Sequence, residues 1–151
     1  MKRISKLTEE IPGNVITVLI AEGNNSVREA LHNGLKRYNY HVMSAKDRSE
    51  ANVMLEHEKV HVLITDLILQ QGSGFDLLRW VQERRREKGG FPYVIVVTGA
   101  DTPENESQAA ELGADEFIHK PVTIQEIAQR LGAFNRTLQQ SDSGLQRTQS
   151  E

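Results

Sequence analysis

Four polar residues stand where short apolar, β-branched runs stop: Glu22 after the run ending at Ala21, Asp66 after the run ending at Thr65, Thr98 after Val97, and Lys120 after His119. They offer two carboxylates, a hydroxyl and an ammonium. That set suits phosphoryl transfer onto a carboxylate: an aspartate nucleophile, a second acid to help hold Mg²⁺, and donors that balance charge on the transferred group.

Other chemical patterns fail on context. His57-Glu58-Lys59-Val60-His61 matches H-E-x-x-H, but that zinc motif needs both histidines on one face of a continuous helix. A helix ending near Glu58 leaves His61 at the start of the next strand. Gly72 and Gly74 have no following Gly-Lys-Ser/Thr, so they read as turn glycines and not as a nucleotide loop. The basic run Arg84, Arg85, Arg86 and Lys88 reads as a solvated helix end favoured by the macrodipole.

The elements that must position the four residues alternate, strand-like runs with helical periods, which predicts a parallel sheet covered on both faces. Strands are expected over Val15–Ala21, Tyr40–Ala45, Val60–Thr65, Tyr93–Val97 and Glu116–His119. The first helix carries the stripe Val27, Ala30, Leu31, Gly34, Leu35 and Tyr38, with Ser26 as its N-cap. Asp47 and Glu50 form a capping box for a helix burying Ala51, Met54 and Leu55. Gly72, Ser73 and Gly74 turn the chain into a helix carrying Leu77, Leu78 and Val81, which ends near Gly89 and Gly90. Thr102 caps a fourth helix with Pro103 at its first position, and Gly113 ends it. Ile124, Ile127, Ala128, Leu131, Phe134 and Leu138 give the last helix its buried face. In an open parallel sheet, ligands bind at the carboxyl ends of the strands, so with strand order 2-1-3-4-5 the four polar residues meet in one crevice.

The totals agree with a single soluble domain. Length is 151 residues, 38% hydrophobic and 26% charged, enough for one core. A net charge of −3 leaves no electrostatic footprint for nucleic acid or an anionic membrane. There is no cysteine, which excludes disulfides, thiolate metal sites and cysteine nucleophiles and permits a reducing compartment. The basic start at Lys2, Arg3 and Lys6 runs into Thr8, Glu9 and Glu10, so it is not a signal peptide, and no apolar run approaches the ~18 residues of a membrane span. A cytoplasmic location is expected. Residues 1–13 read as a flexible extension, 14–138 as the folded domain, and 139–151, rich in Gln and Ser, as a disordered tail or linker.

Five stretches in order carry a resemblance: Val18-Leu19-Ile20-Ala21-Glu22, Val62-Leu63-Ile64-Thr65-Asp66, Gly74 placed eight residues beyond that aspartate, Val96-Val97-Thr98-Gly99-Ala100, and Phe117-Ile118-His119-Lys120-Pro121. From Val15 to Leu138 the chain resembles the response-regulator receiver family of two-component phosphorelays. The resemblance implies a flavodoxin-like, doubly wound five-stranded sheet of order 2-1-3-4-5, with Asp66 as the phosphoacceptor. It implies Lys120 as partner of the carboxylate and phosphoryl oxygens, Thr98 as the switch hydroxyl, Phe117 as the switch aromatic, and a cis Lys120-Pro121 bond. Mg²⁺ would be held by Glu22, Asp66 and the backbone carbonyl of Ile68. The phosphoryl donor would be a histidine kinase or phosphotransfer protein. The face of the fourth helix, fifth strand and fifth helix would change shape for an output domain or partner protein, or for a second copy in a homodimer.

One position departs from the family. Receivers carry two adjacent acids after the first strand, and the second is Gly23 here. That removes a charge and a hard oxygen ligand, so Mg²⁺ binding is expected to be weak; an amide oxygen from Asn24 or Asn25 is neutral and does not replace the attraction of a carboxylate. The alternative is a degenerate receiver acting as a phosphorylation-independent protein-interaction module. An enzyme is not expected: phosphatases with an Asp-x-Asp nucleophile motif need an acid where this chain has Ile68.

Overall fold

The computed structural model describes residues 15–150, with side chains described for 15–140. The extension assigned to residues 1–13 lies outside the described residues. Five strands, β1 (Thr17–Ala21), β2 (His41–Ala45), β3 (Val62–Thr65), β4 (Tyr93–Thr98) and β5 (Glu116–His119), alternate with five helices, α1 (Asn25–Lys36), α2 (Arg48–His57), α3 (Gly74–Arg84), α4 (Pro103–Glu111) and α5 (Ile124–Ser150). All pairings are parallel and the order is β2-β1-β3-β4-β5, as expected.

Alternation along each strand sorts the core into two layers. Leu19, Leu63, Val94 and Val96 pack with α2, α3 and α4 on one face, through Leu55, Leu77, Leu78 and Ala109. Val18, Ile20, Ile64 and Ile95 pack with α1 and α5 on the other, through Leu31, Leu35, Ile127 and Leu131. The middle strands are buried along their length, which is why the sequence reads as unbroken apolar runs there.

Several local expectations are corrected. The N-cap of α1 is Asn24, not Ser26: its side chain accepts from the Val27 amide at 3.0 Å. The buried stripe of α1 ends at Leu35, while Ala30 is exposed and Tyr38 lies beyond the helix, 46% exposed. Helix α3 stops at Arg84, short of the glycine pair, and the side chain of the next residue, Arg85, donates to the Pro92 carbonyl in the loop before β4. Helix α5 runs to Ser150, through the segment set aside as a tail; no proline follows Pro121 to stop it. The Asp47 box is present in modified form: Asp47 accepts from Glu50 N, while the Glu50 carboxylate reaches the amide of Lys46.

Candidate functional site

Parallel strands present their carboxyl ends on one edge, and that edge holds a cleft of about 560 Å³ lined by Glu22, Asp66, Thr98 and Lys120. Glu22, Asp66 and Thr98 are buried. The geometry at Asp66 depends on Gly74, whose α-carbon at the start of α3 lies against the backbone after β3. A methyl group there would stand 2.2 Å from the Asp66 carbonyl oxygen, so only glycine fits.

Every carboxylate oxygen in the cleft accepts from the chain itself. Asp66 Oδ1 takes the Thr98 hydroxyl at 2.5 Å and the amides of Leu67 and Ile68 at 2.6 and 3.2 Å. Asp66 Oδ2 takes Lys120 Nζ at 2.7 Å. The same ammonium reaches Glu22 Oε1 at 2.5 Å, while Glu22 Oε2 takes the amide of Asn24 at 3.0 Å. Burial by itself pulls the Lys120 ammonium down, but the hydrogen bonds it donates to Asp66 and Glu22 and the charge of both carboxylates outweigh it. Its pKa ends above the ordinary lysine value, so the lysine is charged. Lys120-Pro121 is cis, as the resemblance implied.

Phe117 is not part of this cluster. It is half-buried, packs against the core layer of α2, α3 and α4, and sits edge-on to His119 with ring centres 5.4 Å apart.

The residues do not fit a pre-formed Mg²⁺ site. That ion requires near-octahedral oxygens at about 2.0–2.1 Å. Here an ammonium bridges the two acids, and Asp66 Oδ1 already accepts three donors. Asn24, the candidate substitute ligand, spends its amide oxygen on capping α1. Asn25 spends its own on Arg28 Nη2 at 2.6 Å and Gln70 Nε2 at 3.1 Å. Among the described residues no group of three or more His, Cys, Asp or Glu side chains could hold a metal.

Two residues beside the site were not singled out in the sequence. Gln70 donates to the carbonyl of Gly23 at 2.8 Å, and Arg28 to the carbonyl of Glu22 at 2.8 Å. Neither carries a local signal, since one bond spans 47 residues and the other belongs to an ordinary surface arginine of a helix.

The set-aside motifs stay outside the site. His57 closes α2 and His61 precedes β3, its Nδ1 accepting from the Thr17 amide at 3.0 Å. The basic run is partly spent within the fold and not simply solvated. Arg84 lies 3.8 Å from the Trp80 ring centre, and Lys88 Nζ donates to Leu55 O at 2.6 Å.

The family model for the response regulator receiver domain matches residues 18–132. This chain belongs to that family. Among curated relatives it is 28% identical to a response regulator of Streptococcus pneumoniae over 80% of its own length and 54% of the relative's. It is also 28% identical to the phosphate regulon transcriptional regulatory protein PhoB of Pseudomonas aeruginosa, over 84% of its own length and 55% of the relative's. The chain thus spans about half the length of these curated relatives. The receiver fold is matched by a CheY-like receiver from Methanospirillum hungatei with TM-score 0.75, 22% identity, and coverage of 84% of this chain and 98% of that one. A response regulator receiver protein from Pseudomonas putida gives TM-score 0.71 at 31% identity, covering 79% of this chain and 97% of that one. A response regulator from Burkholderia pseudomallei, solved with a phosphorylated aspartic acid, a calcium ion and citrate, gives TM-score 0.70 at 25% identity, covering 84% and 72%. Among the described residues, no helix of this receiver is long and apolar enough to cross a membrane.

Proposed function

We propose that this receiver accepts a phosphoryl group on Asp66 from a phosphohistidine of a histidine kinase or phosphotransfer protein in the cytoplasm and passes the change to an output domain or partner. The observation that carries this reading is the convergence of Asp66, Thr98 and Lys120 within direct hydrogen-bond reach in one cleft. The phosphorylated aspartic acid of the Burkholderia relative supports it.

Asp66 Oδ2 is the freer nucleophile, since it accepts from Lys120 Nζ, whereas Oδ1 is held by two backbone amides and the Thr98 hydroxyl. In-line attack on phosphorus forms the Asp66 O–P bond as the bond to the donor breaks. The electron pair leaves with the donor group, acetate from acetyl phosphate or the imidazole of a phosphohistidine, which departs neutral when its other ring nitrogen carries a proton. The Lys120 ammonium stands beside the oxygens on which charge collects, and the Thr98 hydroxyl can turn from Oδ1 to a phosphoryl oxygen. Receivers as a family use a divalent cation, and Mg²⁺ is expected to bind only weakly here because Gly23 supplies no acid.

Incubation with acetyl phosphate should add the mass of one phosphoryl group to the wild-type chain and none to Asp66→Asn. Lys120→Ala should label more slowly. Labelling that survives Asp66→Asn would place the acceptor elsewhere.

One observation favours a second reading, a phosphorylation-independent interaction module. The switch hydroxyl already rests on Asp66, and the acids already have donors, with no phosphoryl group required. Unlabelled wild type under the same conditions would favour it.

A further inference from the structure

The loop from Leu67 to Ser73 between β3 and α3 lies directly against Gly23. A methyl group at Gly23 would stand 3.1 Å from Gln70 N, 3.2 Å from Leu69 C and 3.3 Å from Ile68 O. All three are backbone atoms, so none can swing aside as a side-chain tip would. A side chain at position 23 would therefore press on this loop, which must give by a few tenths of an ångström to admit it.

The loop is tied there at several points. Gln70 Nε2 donates to Gly23 O at 2.8 Å and to Asn25 Oδ1 at 3.1 Å, while the Gln70 amide donates to Lys46 O at 3.2 Å. One residue therefore stitches the loop to the β1–α1 connection, to the first turn of α1 and to the β2–α2 connection. The Ile68 carbonyl, which the family resemblance makes a metal ligand, is among the atoms packed against Gly23. Within the cleft, Lys120 Nζ lies 2.5 and 2.7 Å from the two acids, where one positive group serves both carboxylates.

We infer that the substitution at Gly23 is coupled to a closed β3–α3 loop held by Gln70, and that Lys120 takes the divalent cation's place as counter-charge to Glu22 and Asp66. Gln70 is then a positioning residue. The inference concerns the resting cleft and does not depend on whether Asp66 becomes phosphorylated. It also implies that returning an acid to position 23 is insufficient to return the metal, because the loop must move as well.

The test is Mg²⁺ titration followed by amide NMR shifts of residues 22–24 and 66–70, with the chain otherwise intact. The wild type should show no saturable shift at millimolar Mg²⁺, and Gly23→Asp alone should gain little. Gly23→Asp combined with Gln70→Ala should bind at least about tenfold more tightly than Gly23→Asp, the size of effect seen when groups behind a metal's ligands are altered. Lys120→Met, which leaves two uncompensated acids, should likewise raise affinity. Saturable binding by the wild type, or equal affinity in Gly23→Asp with and without Gln70→Ala, would overturn the inference.

Should Gly23→Asp fail to fold, urea unfolding of Gly23→Ala decides the loop contact. Its destabilisation should shrink when Gln70→Ala is also present, because the untied loop can give way. Strict additivity of the two substitutions would overturn the coupling.

Discussion

Thr98 Oγ1 donates to Asp66 Oδ1 at 2.5 Å, with both residues buried at the ends of adjacent strands. The family resemblance implies a switch hydroxyl at this position. In the resting cleft it is already on the carboxylate, alongside two backbone amides on the same oxygen. Modification of Asp66 must therefore redirect an existing hydrogen bond, not recruit a distant group.

This bond should be measurable. A hydrogen bond to a charged acceptor contributes about 1.5–3 kcal/mol, so Thr98→Val, which keeps the shape and deletes the donor, should lower unfolding stability by roughly that amount. Thr98→Ser should recover most of it. In an Asp66→Ala background the cost of Thr98→Val should fall by about 1 kcal/mol or more, because the acceptor is gone. Urea denaturation of the four proteins in that cycle checks the point, and strict additivity would mean that the two side chains are not coupled in solution.

The legible parts of this protein were those with a local signature. Strands buried on both faces leave continuous β-branched runs, and a polar residue that ends such a run must lie at the sheet's edge, so Glu22, Asp66, Thr98 and Lys120 could be placed together. The caps at Asp47 and Thr102 follow from chemistry within three residues. Gln70 and Arg85 were opaque because their partners lie far along the chain and an amide or guanidinium carries no period. Asn24 was missed as a cap because Ser26 offered the same chemistry two residues on, and only the backbone geometry at Asn24 decides between them. The closure of the loop over Gly23 was hidden for a related reason: a glycine in sequence shows a lost acid but not what approaches it.

His61 should make the fold sensitive to acid. It is 2% exposed, its Nδ1 accepts from the Thr17 amide, and its ring meets Phe91 edge-on at 5.7 Å. Burial lowers its pKa from 6.5 to about 4, and protonating Nδ1 would also abolish an acceptor. Between these values the unfolded chain binds the proton and the folded chain does not. The contribution is thus fully present above about pH 6.5 and is lost as pH falls toward 4, by roughly 3 kcal/mol in all. NMR titration of the His61 ring should give a midpoint near 4, with unfolding midpoints falling over the same window. A midpoint near 6.5 would show that the ring is solvated and the bond to Thr17 absent.

Arg85 should govern stability without touching the chemistry. Its Nε and Nη2 both donate to Pro92 O, at 3.0 and 2.9 Å, and its Nη1 donates to Gly113 O at 2.9 Å. It also pairs with Asp115, which in turn accepts from the Val94 amide at 2.8 Å. One guanidinium thus ties the end of α3 to the loops that lead into β4 and β5, at the edge of the sheet opposite Thr98 and Lys120. Arg85→Ala leaves two carbonyls and a carboxylate short of a donor, at about 1–3 kcal/mol for each buried group that water cannot reach. A loss of roughly 2–4 kcal/mol is expected by urea unfolding, since the site is part-exposed and some of the groups will hydrate. Arg85→Lys should recover only a fraction of it, because a single ammonium cannot reproduce a planar fork that serves three acceptors. Acetyl phosphate labelling of Asp66, measured where the variant remains folded, should match the wild type. A labelling rate that fell with Arg85→Ala while the protein stayed folded would show that the two edges of the sheet are energetically coupled, and that the far-edge network helps to hold the cleft in shape.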